Sequence, residues 1–308
     1  MDQGERHAEA RFGGPFYIEE HMTTSTRPRR SALYLPASNP KAIAKARTLP
    51  CDVVILDLED AVAPDAKALA REQAIEAIRE NGFADREVVL RVNGLDTEWG
   101  EADLKAARTV ATTILAPKVS SAAGVAAYAK TLAGETRLWV MIETAISLFR
   151  LEEIAAMART TPLTGFVMGT NDLAKETGAQ PDILRAPFIG ALGLAVAAAR
   201  AHGLAILDGV FNDFQDDDGF RLQTRQALSF GFDGKTLIHP RQIDLCNAVF
   251  TPDAEAVAWA HQVIAAFNDP ENAAKGAIQV GGKMVERLHI PQAERILAMT
   301  GERFSGRS

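Results

Sequence analysis

The chain has 308 residues, 47% of them hydrophobic, which is enough for one large core or two ordinary ones. Its 33 Lys and Arg stand against 40 Asp and Glu, a net charge of −7, which argues against nonspecific binding to nucleic acid or an anionic membrane. Cys51 and Cys246 form no CxxC pair, no apolar stretch is long enough to span a bilayer, and the first thirty residues lack a signal-peptide apolar region, so a cytoplasmic protein is expected.

Taken in chain order, the elements repeat one rhythm. Residues 1–30 mix charges with glycine and proline and read as an N-terminal extension, with the basic run "RPRR" a solvated tail before the first strand. Short apolar runs then follow at Ala32–Leu35, Val53–Leu56, Val88–Val92, Thr113–Ala116, Leu138–Ile142, Phe166–Met168, Leu204–Leu207 and Thr236–Ile238. Between them lie segments of helical period. Asp65–Glu80 carries Leu69, Ala70, Ala74, Ala77 and Ile78 on one stripe; Ser121–Leu132, Leu148–Arg159 and the Ala-rich Ile189–His202 are others. Eight alternating units predict a single (β/α)8 TIM barrel over residues 31–250. A C-terminal helical arm over 251–308 follows, with Ala293, Ile296 and Leu297 on an apolar face suited to docking on a neighbouring subunit. A doubly wound open sheet is the alternative; it would be favoured by a Gly-rich phosphate turn after the first strand, and "YLPASNP" supplies none.

In such barrels catalytic groups sit at the carboxyl ends of the strands. The second exit, "DLED", crowds Asp57, Glu59 and Asp60 against an apolar run. The others bring Arg91 and Asn93 in "RVNG", Lys118 in "APK", Glu143 in "MIET", Asn171 and Asp172 in "MGTNDL", Asp208 in "LDG" and His239 in "IHP". Acids outnumber bases, yet Arg91 and Lys118 lie among them. That balance suits a hard divalent cation holding an anionic substrate, and carboxylates without a His/Cys set favour Mg²⁺ over zinc. Single residues have plainer readings. Asp57 or Asp60 can cap a helix, "TNDL" is a reasonable helix start, Lys118 can simply pair with the acids, and His239 before Pro240 reads as structural. Asp216, Asp217 and Asp218 read as a solvated helix start. Glu143 resists such a reading, because Glu is a poor N-cap and here follows "LWVMI" directly.

Nine segments carry a resemblance: "YLPASNPKAIAKA", "VVILDLEDAV", "LRVNG", "APKV", "MIET", "GTNDLA", "LDGVFNDF", "GFDGKTLIHPRQI" and "GGKMVE". Their order resembles the citrate lyase β-subunit-like branch of the HpcH/HpaI aldolase superfamily, which includes malyl-CoA and citramalyl-CoA lyases. The resemblance implies a Mg²⁺-dependent (or Mn²⁺-dependent) barrel, a homotrimer or dimer of trimers, that cleaves or forms a carbon–carbon bond beside a thioester carbonyl. Its substrate would be a β-hydroxyacyl-CoA, split into an acyl-CoA and an α-keto acid. Residue by residue, it implies that Glu143 and Asp172 ligate the metal and that Arg91 grips the keto-acid fragment. Tyr34, Asn39 and Lys45 match positions that contact coenzyme A, although many relatives carry Arg where this chain has Asn39. Asp57, Glu59, Asp60 and Lys118 would form an outer shell beside the metal. Glu286 stands where relatives carry an acid, most often Asp, that reaches the adjacent protomer's active site and exchanges a proton with the thioester's α-carbon. Other readings are a citrate lyase subunit acting on an acyl-carrier thioester, an aldolase acting on free pyruvate, and a non-catalytic binder of CoA or keto acid.

Overall fold

A computed structural model describes residues 27–300. Eight parallel strands close into a barrel in chain order: β1 (Ser31–Pro36), β2 (Val53–Asp57), β3 (Glu87–Arg91), β4 (Thr113–Ala116), β5 (Arg137–Ile142), β6 (Leu163–Met168), β7 (Ala205–Asp208) and β8 (Gly234–Leu237). Pairing of Ala32 with Thr236 joins β1 to β8 and removes the sheet's open edges. The TIM barrel expected from the alternating pattern is therefore present, and the open-sheet alternative is not.

Side chains alternate across each strand. The inward set, including Ala32, Val53, Ile55, Val89, Leu115, Trp139, Met141, Val167 and Leu207, fills the barrel, with Tyr34 packed against it. The outward set, such as Leu33, Val54, Leu90, Ile114, Val140, Phe166 and Ile206, packs under the helices in the largest core cluster. Both faces are buried, which is why the strands read as apolar runs instead of clean alternations. Trp139 is the bulkiest inward residue, and Gly165 on β6 makes room for it: a Cβ there would stand 3.0 Å from the indole ring.

The helices are α1 (Pro40–Ala46), α2 (Lys67–Arg79), α3 (Gly100–Ala107), α4 (Ala122–Ala129), α5 (Ala145–Leu148), α6 (Leu151–Ala156), α7 (Thr170–Thr177), α8 (Ile189–Ala201), α9 (Asp217–Phe230) and α10 (Gln242–Phe250). Several starts are written in the sequence. Asn39 accepts from Ala42 N at 3.1 Å ahead of α1, Ser121 accepts from Gly124 N ahead of α4, and Asp216 accepts from Gly219 N ahead of α9. Four expectations need correction. The segment expected as one helix over Leu148–Arg159 is α5, a break at Phe149 and Arg150, α6 and a 3₁₀ turn over Met157–Arg159. On α2 the buried stripe is Lys67, Ala70, Ala74, Ile75 and Ala77, whereas Leu69 is exposed. Beyond residue 250 the arm is not purely helical: helix α11 (Ala254–Asn268) leads into an antiparallel hairpin, β9 (Ala277–Val280) and β10 (Lys283–Glu286), and then α12 (Ile290–Thr300). The arm has its own core of Ala260, Val263, Ile264, Phe267, Val280, Val285, Ala293 and Leu297. Of the expected N-terminal extension, residues 1–26 lie outside the described residues, and the basic run before β1 is no solvated tail: Arg29 is buried against Glu87 at 2.6 Å and Arg30 pairs with Asp52 at 2.8 Å.

Candidate active site

At the carboxyl ends of the strands a cavity of about 280 Å³ is lined by Tyr34, Asp57, Asp60, Arg91, Met141, Asp172 and their neighbours. A larger cavity of about 990 Å³ lies at the opposite end. Volume alone does not locate the chemistry; the convergence of ionisable groups with altered proton affinity does, and it is at the mouth.

Asp57 and Arg91 are register partners across β2 and β3, so their inward side chains meet. Arg91 Nε donates to Asp57 Oδ1 at 2.7 Å and a second guanidinium nitrogen donates to Oδ2 at 2.6 Å. Asp57 also accepts from the backbone N–H groups of Glu59 (2.8 Å) and Ala61 (3.0 Å), which folds the "DLED" turn around it. Asp57 thus closes the turn and anchors Arg91, and neither it nor Asp60 caps a helix, because the 3₁₀ turn at Pro64–Ala66 and α2 both begin without a side-chain cap. The remaining guanidinium nitrogen, Nη1, faces Glu59 at 3.0 Å, Asp60 at 3.3 Å and the sulfur of Met141 at 3.7 Å. Burial opposes the charge, yet Asp57 and Glu59 hold the Arg91 pKa well above its ordinary value. Tyr34 lies beneath it, its ring 4.8 Å from the guanidinium carbon. Burial pushes the phenol pKa up, and the hydroxyl is buried without a hydrogen-bond partner.

Glu143 leaves β5 buried, and its Oε1 accepts from the backbone N–H of Lys118 at 2.7 Å. Lys118 adopts the left-handed region (φ 53°), which turns that N–H toward Glu143 while its ammonium reaches Glu59 at 3.2 Å. The other oxygen of Glu143, Oε2, is buried with no partner. Gly169, just after β6, passes so close that any Cβ would collide with the Glu143 side chain. Burial first, then the charges of Glu59 and Asp172, push the Glu143 carboxyl up to about 8; the Lys118 N–H and Arg91 work against them. Glu59 is pushed up by burial and by Asp60, with Arg91 and Lys118 opposing. Asp172, in the first turn of α7, is half-buried and lines the same cavity.

Other strand-exit residues do not join this group. Asn93 turns away to donate to Asp103 Oδ2 (2.6 Å) and the Leu58 carbonyl (2.9 Å). Asp208 lies behind the strand layer, fully buried, between Lys235 (2.7 Å) and Arg185 (2.6 Å). His239 stacks on Phe214 with ring centroids 4.5 Å apart, the structural role expected of it. Asn39 and Lys45 are exposed on α1, apart from the cavity that Tyr34 lines, and Asn39 Oδ1 serves as the helix cap. Glu286, at the end of β10, is exposed and caps the following 3₁₀ turn together with His289. Helix α12 then runs to the far end of its own barrel, where Arg295, Ala298 and Met299 line the larger cavity.

Lys67, which falls within the expected helical segment Asp65–Glu80, also belongs to the site. Its ammonium donates to the Leu58 and Glu59 carbonyls at 2.8 and 2.9 Å and lies 5.0 Å from the Trp99 ring. It holds the acidic turn from behind. A lysine at the predicted start of a helix beside an acidic strand exit was the available signal.

Five carboxylates (Asp57, Glu59, Asp60, Glu143 and Asp172) thus face two cationic side chains, Arg91 and Lys118. Residues 30–240 match the family model described as HpcH/HpaI aldolase/citrate lyase. The chain belongs to that family. Among its relatives, a (3S)-malyl-CoA thioesterase of Cereibacter sphaeroides is 48% identical over 278 residues, covering 90% of this chain and 96% of the relative. An L-malyl-CoA/beta-methylmalyl-CoA lyase of the same organism is 36% identical, with 88% and 94% covered. The crystal structure of protein CitE from Mycobacterium tuberculosis in complex with magnesium, acetoacetate and coenzyme A superposes with a TM-score of 0.68 at 32% identity, covering 91% of this chain and all of that one. This family member is therefore an enzyme of the aldolase and CoA-thioester class, with no helix among its described residues long and apolar enough to cross a membrane.

The donor set fits a magnesium-type ion. Glu143 presents a buried, unpartnered carboxylate oxygen beside Asp172, and excess negative charge surrounds both. Among the described residues no three His, Cys, Asp or Glu side chains form a ready-made cage. Two carboxylates with the remaining positions left to water and substrate is the usual arrangement for Mg²⁺.

Proposed function

We propose that the protein is a Mg²⁺-dependent (or Mn²⁺-dependent) enzyme acting on a malyl-CoA-type β-hydroxyacyl thioester, and that it cleaves the carbon–carbon bond to release an acyl-CoA and an α-keto acid. The observation that carries this reading is that Arg91 and Asp172 line one strand-end mouth and that Glu143, with its unpartnered Oε2, is near enough to feel both charges. Glu143 and Asp172 would hold the ion, which when bound supplies Lewis-acid polarisation of the substrate's carboxylate and hydroxyl oxygens.

The chain's own residues do the rest. Because Asp57 takes the Nε edge of Arg91, Nη1 is the nitrogen left beyond that pair, beside Glu59, Asp60 and Met141. That nitrogen would meet the carboxylate or the developing keto oxygen of the keto-acid fragment. Its charge does not titrate away and its position is fixed by Asp57. Asp57, Glu59, Asp60 and Lys118 would serve as the outer shell that orients Arg91 and Glu143. In cleavage the β-hydroxyl loses its proton and the bond between the carbinol carbon and the thioester's α-carbon breaks. Its electron pair forms a thioester enolate, which takes up a proton. Glu286 of a neighbouring chain would supply that proton, as the family resemblance implies; on its own chain it is exposed and outside the lining of the mouth. The assembly proposed with this role is a homotrimer or dimer of trimers, with Tyr34, Asn39 and Lys45 proposed as contacts to coenzyme A.

A second reading is hydrolysis of the same thioester, favoured by the (3S)-malyl-CoA thioesterases that are 48% identical to this chain. One experiment separates the two. The purified protein is incubated with Mg²⁺ and malyl-CoA, citramalyl-CoA or citryl-CoA, and keto acid and free thiol are measured together. Keto acid without free thiol supports cleavage. Free thiol without keto acid means hydrolysis, and neither product from any thioester overturns both.

A further inference from the structure

The cavity of about 990 Å³ at the amino-terminal end of the barrel has no part in the chemistry above. Glu87, Thr113 and Arg137, which open β3, β4 and β5, line it, as do Asp233 before β8 and Arg295 on α12. In a chain of net charge −7 this lining is the reverse: six arginines against three acids. Two arginines are bridged, Arg29 to Glu87 at 2.6 Å and Arg200 to Asp233 at 2.6 Å. Arg108, Arg137 and Arg295 have no salt bridge among the described residues. Arg295 is half-buried near Arg200, so two like charges share the single carboxylate of Asp233.

A second observation points into the same space. His202 lines the cavity with its side chain 5% exposed; its Nε2 lies 3.4 Å from Glu152, and its Nδ1 is buried with no hydrogen-bond partner. Arg200 Nε is likewise buried and unpartnered. Buried polar atoms left without partners cost stability, and like charges held together cost more. An anion relieves both. A guanidinium fork donates two parallel hydrogen bonds to either a phosphate or a carboxylate, and a cavity this size exceeds what a single inorganic ion fills.

We propose that this cavity binds a multiply charged organic anion, phosphate-bearing or polycarboxylate, at a site separate from the catalytic mouth. Surplus guanidinium charge at Arg137 and Arg295 provides the attraction, and His202 Nδ1 provides a directional contact. Glu135, exposed at the rim, opposes it.

The test is calorimetric titration of the full chain, stripped of divalent cations on a chelating resin, with pyrophosphate and with citrate as probes. Saturable binding of one or both is expected, weakening as salt is raised from about 50 to about 300 mM. Pyrophosphate alone identifies a phosphate-bearing ligand, and citrate alone a polycarboxylate. The double variant Arg137→Gln/Arg295→Gln should weaken binding by about tenfold or more. Arg108→Gln, at an exposed position on the cavity lining, gives a smaller loss without disturbing a buried side chain. Glu135→Gln should tighten binding by about threefold, a gain that misfolding cannot mimic. No binding of either probe overturns the proposal. So does binding that ignores all three variants, which would place the anion elsewhere.

Discussion

Asp57 and Arg91 face each other across β2 and β3 as register partners, and the carboxylate takes both hydrogen-bonding positions on one edge of the guanidinium, at 2.7 and 2.6 Å. Both side chains are almost fully buried, Asp57 at 1% and Arg91 at 8% exposure. Removing one partner of such a pair leaves the other charge buried and uncompensated, at about 3–5 kcal/mol. Asp57→Ala should therefore lower unfolding free energy by about that amount, measured by urea titration, and should impair turnover because Arg91 loses its anchor. An Asp57→Ala protein of wild-type stability would show that the pair adds nothing to the fold.

Arg91→Lys keeps the charge but loses the fork that Asp57 holds. The expected result is slower turnover and a higher KM for the keto acid in the condensation direction, with the metal still bound. Unchanged kinetics would reduce Arg91 to a structural partner of the acids.

Glu143→Gln and Asp172→Asn should each abolish metal-dependent activity and leave the far-UV spectrum and overall fold intact. Near-wild-type activity of either variant at low Mg²⁺ would refute the ligand assignment. Isothermal titration with Mn²⁺ checks the same point without reference to turnover.

Glu143 also sets a pH dependence. Its carboxyl in the metal-free fold is raised from about 4.5 to about 8, chiefly by burial. A folded state that holds a proton more tightly than the unfolded chain loses stability as pH rises between those two values, and the loss is complete above the higher one. Stability of the metal-free protein should fall from about pH 5 to about pH 8, and Glu143→Gln should remove that component. Mg²⁺ competes with the proton, so its stabilising shift in Tm should be larger at about pH 8.5 than at about pH 6. Equal shifts at both pH values would contradict the assignment.

Glu286→Gln should retain metal and CoA binding and lose turnover. Mixed with an inactive Glu143→Gln protein, it should recover part of the activity, because some shared sites would combine an intact barrel with an intact neighbouring arm. Mixed oligomers must first be shown by mass. If they form and activity stays absent, Glu286 does not act across an interface.

The sequence by itself determined the barrel and put ionisable candidates at the strand exits. Eight apolar runs separated by segments of helical period leave few ways to bury both faces of a parallel sheet, so the strand count and order were legible. The "DLED" acids, Arg91, Lys118, Glu143 and Asp172 were legible because ionisable groups at the ends of apolar strands are costly without a purpose. Tertiary structure decided which of these groups meet. Ile206 and Leu207 are both apolar and both buried, one facing the helices and one the barrel, so no alternation revealed that Asp208 points away from the mouth toward Lys235. Asn93 follows the inward parity of Val89 and Arg91, yet the turn beyond the strand diverts it to Asp103. Lys67 grips the acidic turn from a helix nine residues on, and the arginine-lined cavity gathers residues from Arg27 to Met299. Such placements depend on barrel closure and strand register, which bring distant parts of the chain together, and a one-residue change of register would exchange the two faces of a strand.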